Sequence, residues 1–395
     1  MTESSDWRAI LSAFLVGVSG AVQVGRIAPV APLLEQDLQL DLLTLGWLIS
    51  LVTLASAVLG LLAGYAVVRA GLRISVIAGA LLMGLCAAVS ALAPSVPMLI
   101  GTRIVEGFGY LIVVVAAPTL IAQAASRRDA PLALAIWGTF FTLGLSIGAV
   151  AGGAIGETVG WRGWFLASAA LMVLAAAAVL IWTSAQAARA DARLDLAAVM
   201  AEMPKAAWLL GAAFLGLTLL SLAVLSLLPT FLVQEHGFSP SRAGSVTGGV
   251  ALASIAGSLS YGMLARRLPE PAIAAAASAA LIAAAFPTFA AAAAPGQTLP
   301  CAALVVFMSG ILVAQTFAAV PRIAGAPRLI GPVNGLVAQF GSIGALSGPP
   351  LVGALISVAD WRAVPLVAAS FALSFLGLFV LAVRFHAASI LRDPT

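Results

Sequence analysis

The sequence predicts an all-α membrane protein of twelve transmembrane helices in two pseudo-symmetric six-helix bundles, and three observations predict it. Hydrophobic residues fill 62% of the 395 positions and charged residues only 9%, against about 25% charged in an ordinary soluble domain, so water is not the chain's only solvent. Breaks of charge, Pro and Gly mark out twelve apolar stretches, each close to the roughly 20 residues that cross a bilayer's hydrocarbon. The chain also repeats itself at a spacing of 200: Gly144, Gly148, Gly153, Trp161 and Arg162 return as Gly344, Gly348, Gly353, Trp361 and Arg362, and Pro29 returns as Pro229. Such a long period marks two copies of one unit.

Taken in order, the spans of the first half are 10 to 33, 44 to 67, 74 to 93, 98 to 122, 131 to 155 and 163 to 183. Those of the second are 207 to 233, 241 to 265, 271 to 294, 300 to 320, 330 to 356 and 363 to 384. With an inside amino terminus, 14 of the 19 Lys and Arg fall at cytoplasmic ends or loops, among them Arg8, Arg69, Arg73, Arg127, Arg128, Arg266, Arg267 and Arg384. The positive-inside rule therefore places both termini in the cytoplasm of a multi-pass cell-membrane protein, with a bacterial inner membrane as the expected location. The net charge of +4 reflects this asymmetry and gives no sign of nucleic-acid binding.

Leu11 to Val24 could pass for a secretory signal, but the apolar pattern continues past Arg26 into a multi-span chain, so it reads as an uncleaved first helix. Cys86 and Cys301 fall in different spans without metal-like spacing and read as packing residues; no metal or other cofactor is expected. The one substantial hydrophilic stretch, Thr183 to Lys205, divides an amino-terminal bundle (1–183) from a carboxy-terminal bundle (207–395) through a cytoplasmic linker (184–206). Leu194, Leu196, Val199 and Met203 are spaced for a short surface helix there, although a plain tether fits equally.

Local motifs carry a resemblance to a known family. The fourth span reads Arg103-Ile-Val-Glu106-Gly107-Phe-Gly109, and the loop after the second reads Gly64-Tyr-Ala-Val-Val68-Arg69-Ala-Gly71-Leu-Arg73. Glycines let helices approach closely, while a buried Arg needs several acceptors from neighbouring helices. The fifth span carries Gly144-x-x-x-Gly148-Ala149-x-x-Gly152-Gly153, and Trp161-Arg162 and Trp361-Arg362 follow the two copies. Together these resemble the R-x-x-Q-G-x-G, G-x-L-A-D-R-x-G-R-R and G-x-x-x-G-P-x-x-G-G signatures of the major facilitator superfamily. Glu106 replaces the usual Gln, and Val68 stands where the family has an Asp that helps latch the two halves on the inner side. The resemblance assigns a cytoplasmic gate to Gly64, Arg69, Gly71 and Arg73. The fifth-span pattern is associated with exporters in the family, but small residues at this spacing also serve ordinary helix packing, the role expected for Gly144, Gly148, Gly152, Gly153, Gly344 and Gly348. Gly25-Arg26-Ile-Ala-Pro29-Val-Ala-Pro32-Leu-Leu is similar to the first helix of the cyanate and nitroimidazole permease branch, and other organic-anion symporters also place an Arg in this helix.

Three charges lie well inside the spans: Arg26, Arg103 and Glu106. A charge at the bilayer centre costs about 2.5 to 3.5 kcal/mol on insertion scales, so each must face protein, a partner or a wet cavity. Arg103 and Glu106 are spaced i, i+3 and can pair on one helix face; that pair is either structural or a proton switch, with Glu106 taking up the proton as Arg103 moves. Arg26 either pairs with Glu106 and carbonyls or offers its planar fork to a bound anion. Two Arg and one Glu leave one positive charge, which favours the anion. Gln23 shares a face with Arg26, and Tyr110 lies four residues after Glu106. Thr230, Gln315, Asn334 and Gln339 are polar candidates in the second half, and Trp137, Phe140 and Phe141 could form an aromatic wall.

These features predict alternating access by two rocking halves around a midplane site. No phosphate-binding G-x-x-x-x-G-K-[ST] occurs, so an ion or substrate gradient must supply the drive. The spans hold no His and no cluster of nucleophile, base and orienter, which argues against an enzyme. The leading expectation is proton-coupled uptake of a small organic or inorganic anion by a monomer with no obligate protein partner; the alternative is proton-antiport export of drugs or metabolites.

Overall fold

The computed structural model describes residues 4–40, 42–183, 196–238, 240–289 and 295–392. Every regular element among them is helical: α1 Trp7–Gly25, α2 Ala31–Leu38, α3 Leu42–Ala70, α4 Leu72–Ala91, α5 Val96–Ala124, α6 Ala130–Gly138 and α7 Phe140–Trp182. After these come α8 Leu196–Glu202, α9 Lys205–His236, α10 Pro240–Leu264, α11 Glu270–Thr288, α12 Pro295–Ala324, α13 Pro327–Ala359 and α14 Ala363–Arg392.

Eleven helical stretches are long and apolar enough to cross a membrane, and one of them, Ala130–Trp182, runs for 53 residues. At 1.5 Å per residue it would reach about 80 Å, enough for two crossings. It divides at Gly160, whose φ of 74° and ψ of 174° lie outside the helical region and favour glycine. The stretch thus holds the fifth and sixth expected spans, and the protein is an all-α multi-pass membrane protein. Large apolar side chains such as Val150, Leu174 and Ile181 point outward, as a lipid solvent allows, while Ser12, Gln23, Ser90 and Ser168 are buried.

The helices run past the edges read from hydropathy, because a helix continues where the apolar run stops. His236 therefore ends α9 and His386 lies within α14, although the expected spans held no His. Part of the expected linker, 184–195 with Leu194, lies outside the described residues. Its remainder is helical as α8, with Val199 buried, and Arg328 Nη2 pairs with Glu202 at 2.9 Å.

The chain gathers into two compact units: Met1–Ala133, Phe140–Glu202 and Ala326–Gln339 in one, and Leu134–Thr139, Met203–Gly325 and Phe340–Thr395 in the other. In the first unit α7 lies along α1 and α4, and α5 packs on α3 and α4. In the second, α12 packs on α10 and α11, and α14 on α9 and α11.

The repeated glycines sit at equivalent crossings. A Cβ on Gly144 would strike the Val18 carbonyl and Ala21 of α1, and one on Gly344 would strike the Leu215 carbonyl of α9. Gly148 faces Val22, and Gly348 faces Leu219. Gly153 and Gly353 have nothing within 4 Å of such a Cβ. Gly144→Val is therefore expected to lose about 1–3 kcal/mol by overpacking, read as a lower Tm in detergent, while Gly153→Ala leaves Tm unchanged or slightly raised.

Candidate functional site

The site begins with a break in the first membrane helix. Pro29 and Pro32 lack the N–H groups that the carbonyls of Gly25 and Ala28 would accept in a continuous helix, and their rings crowd those same carbonyls. The chain leaves α1 at Gly25, passes Arg26 and Ile27, tightens into a 3-10 turn over Ala28–Val30 and restarts as α2. Because α1 stops at Gly25, the buried Gln23 and Val24 carbonyls in its last turn have no intrahelical partner and must find donors.

Arg103 of α5 supplies them. Its Nη1 donates to the Gln23 carbonyl at 3.0 Å, its Nη2 to the Val24 carbonyl at 3.2 Å and its Nε to the Leu48 carbonyl of α3 at 2.8 Å. The negative end of the α1 dipole favours a cation at this place. The indole of Trp164 takes the Arg26 carbonyl at 2.9 Å.

The same break carries Arg26 into a closed network. Its Nη1 and Nη2 donate to the two carboxylate oxygens of Glu106, each at 3.0 Å, in a two-bonded fork. Arg103 Nη1 donates to Glu106 Oε2 at 2.9 Å. Arg26 also donates to Gln23 Oε1 at 2.5 Å and to Ser90 Oγ at 3.2 Å, and its guanidinium lies 4.5 Å from the centre of the Phe165 ring. Gln23 is oriented by α7, donating its amide to the Ser168 carbonyl at 2.7 Å. Arg26 and Glu106 are 0% exposed and Arg103 is 1% exposed. Burying three charges is costly, and the near-complete set of charge-assisted bonds offsets that cost. The one donor of Arg26 without a partner is Nε. Arg103 spends its remaining donors on backbone, and the cluster as a whole keeps one positive charge.

The other residues singled out from sequence are dispersed. Tyr110 is buried one turn beyond Glu106, and no described bond joins it to the cluster. Phe140 meets Phe141 edge to face. Trp137 belongs to the second unit, where it meets Phe317 edge to face, and Thr230 of α9 is exposed. Gln315 is buried and donates to the Glu270 carbonyl at 2.7 Å, far from the sequence expectation of a cavity wall. Gln339, in the α13 segment that belongs to the first unit, donates to the Val58 carbonyl and accepts from the Leu61 N–H of α3, both at 3.1 Å. Asn334 of the same segment donates to Thr119 at 3.0 Å.

At the gate assigned by resemblance, a Cβ on Gly64 would meet the Gly331 carbonyl at 2.5 Å, and Val68 is buried against Gly331. Arg69 donates to the Tyr65 hydroxyl at 3.1 Å, and Gly71 has a φ of 94°. Arg73 ties the start of α4 to the end of α7 through Thr183 at 3.1 Å and the Leu180 carbonyl at 2.7 Å. Residues that sequence reasoning missed are Ser90, Ser168 and the carbonyl of Leu48, for which an apolar helix gives no signal.

A profile of the family described as Major Facilitator Superfamily matches residues 9–331. An arabinose-proton symporter of Escherichia coli (strain K12) is 30% identical over 171 residues, 43% of this chain and 35% of that protein. A 3-(3-hydroxy-phenyl)propionate transporter of the same strain is 27% identical over 280 residues, 67% of each protein. Among solved structures, the human organic anion transporter MFSD10 superposes with a TM-score of 0.77 at 17% identity, over 97% of this chain and 100% of that one, a likeness of fold.

Proposed function

The chain belongs to the Major Facilitator Superfamily and is a secondary transporter, and we propose that its cargo is a small organic or inorganic anion carried inward together with protons. The observation that carries this reading is the fork of Arg26 closed on Glu106, both fully buried, in a cluster with one positive charge to spare. A carboxylate of the protein here occupies the groups that best receive a carboxylate from outside. Protonation of Glu106 removes the charge that holds Arg26 and leaves the fork to the incoming anion. Proton and anion thus enter as a pair, and the pair crosses without the opposition of about 2.3 kcal/mol per 100 mV that a bare anion meets. Gln23 and Ser90 keep the guanidinium in place while its partner changes, and Arg103 stays with the backbone. The name of one relative, a 3-(3-hydroxy-phenyl)propionate transporter, agrees with an anionic cargo. Both termini lie in the cytoplasm on this reading, as the distribution of cations requires.

Purified protein in liposomes, with the outside made acid, tests the proposal using labelled 3-(3-hydroxyphenyl)propionate, benzoate and cyanate as probes. At least one probe accumulates in the parent, and Arg26→Ala lowers its uptake about tenfold or more, the worth of a charge-assisted two-bonded contact. Equal uptake by parent and Arg26→Ala overturns the assignment of the anion to Arg26.

A further inference from the structure

We infer that the outer piece of the first membrane helix, Ala28–Leu38, is a lid over the Arg26–Glu106 pair, pivoting at Arg26 and held shut by Asp37. The inference rests on the proposed exchange at Arg26, since a fully buried pair that takes up protons and anions needs a way in.

The pivot is the helix break itself, where the hydrogen-bond ladder of α1 stops and Trp164 fixes the Arg26 carbonyl at 2.9 Å. Beyond it, Ile27, Val30 and Leu34 are 2%, 0% and 0% exposed and belong to one apolar cluster with Leu48, Leu99, Trp161 and Phe165. Two of these also line the pair: the Leu48 carbonyl accepts from Arg103, and the Phe165 ring covers the Arg26 guanidinium. Apolar side chains on the segment therefore close the charged cluster on this side.

The underside of the segment is smooth. A Cβ on Gly152 would lie 2.6 Å from the Pro29 ring, and one on Gly156 would lie 2.6 Å from Val30, so α7 offers bare backbone where the segment rests. On this one face no side chain of Gly152 or Gly156 interlocks with the segment. The far end is tied by one carboxylate: Asp37 accepts from Trp161 Nε1 at 3.0 Å and from Arg162 Nη1 at 2.5 Å. These side chains are 44% exposed at Asp37 and 47% at Arg162, and an ion pair so wetted is weak. The two ends thus differ as pivot and catch should, with dry bonds at Arg26 and a wet, breakable pair at Asp37. With the amino terminus inside, this end faces outward. The second half has no such segment, because α9 continues unbroken through Pro229 to His236, and Trp361 reaches the uncharged Gln234 at 3.3 Å.

The experiment places a cysteine at Leu34 in a Cys86→Ala, Cys301→Ala background and measures labelling by an impermeant maleimide added outside right-side-out vesicles. Labelling should be slow with Asp37 present and about threefold to fivefold faster with Asp37→Asn, the effect of weakening an exposed ion pair and its neighbouring bond. A cysteine at Val16, equally buried on α1, stays unlabelled in both. Hydrogen exchange across 28–38 in the otherwise unaltered chain should rise with Asp37→Asn while exchange across 7–25 does not. Labelling and exchange indifferent to Asp37, or acceleration at Val16 equal to that at Leu34, overturns the lid. The readout needs no transport, so the two ideas fail separately. Faster Leu34 labelling beside normal uptake by Arg26→Ala keeps a moving segment and sinks the site reading. Uptake that depends on Arg26 and Glu106, with labelling blind to Asp37, sinks the lid alone.

Discussion

Glu106→Gln is expected to abolish accumulation driven by a pH gradient while sparing downhill exchange of the anion. The variant keeps the shape of the side chain and loses the group that carries the proton. Parent accumulation should track the imposed gradient, up to about tenfold per pH unit for each proton carried, whereas the variant equilibrates. Its amide also meets two guanidinium groups with one acceptor and an –NH2 that has nothing to accept it. The buried positive charge is left uncompensated, at a cost of about 3–5 kcal/mol. A bound anion relieves part of that cost, so probe anions should raise the Tm of the variant more than that of the parent. Full pH-driven accumulation by the variant would move the proton to another group.

Arg103→Ala is expected to give a large loss of stability. Four bonds disappear, three of them to carbonyls of α1 and α3, and the Gln23 and Val24 carbonyls at the broken end of α1 lose the donor that meets them there. The expected cost is about 2–4 kcal/mol, from buried carbonyls left without this donor, seen as a fall in Tm and in yield of folded protein. Arg103→Lys should recover only a part, because a single ammonium cannot reach two helices and a carboxylate together. Arg26→Ala differs in kind. Glu106 then keeps its bond from Arg103, so stability should fall less while anion uptake falls fully. If Arg103→Ala is as stable as the parent, the broken end of α1 is satisfied in another way.

Much of this was visible in the sequence where spacing alone decides. Gly144 and Gly344 stand at matching helix crossings because a repeat keeps the places where backbones must touch. Arg103 and Glu106 pair because three residues make nearly one turn. The pairing of Arg26 with Glu106 stood only as one of two readings, since nothing local links residues on separate helices. Hydropathy marks the first span simply as 10 to 33. The two prolines that break it were legible, but the break's consequence was not, because a freed carbonyl reveals its need only when its neighbours are known. Gln315 and Gln339 show what spacing leaves undecided. Helices apolar all round carry no stripe to say which side faces inward, so a lone amide cannot be assigned to a cavity or to a neighbouring backbone. Gln315 found the carbonyl of Glu270, and Gln339 found α3.

The joint entry of a proton on Glu106 and an anion on Arg26 is tested most directly by recording external pH in weakly buffered, de-energised proteoliposomes when an aromatic carboxylate probe is added. Alkalinisation outside, above that of protein-free vesicles and in step with entry of the labelled probe, is the predicted result, and it should vanish in Arg26→Ala and Glu106→Gln. Entry of the probe through the protein with no pH change, or with acidification outside, would contradict it.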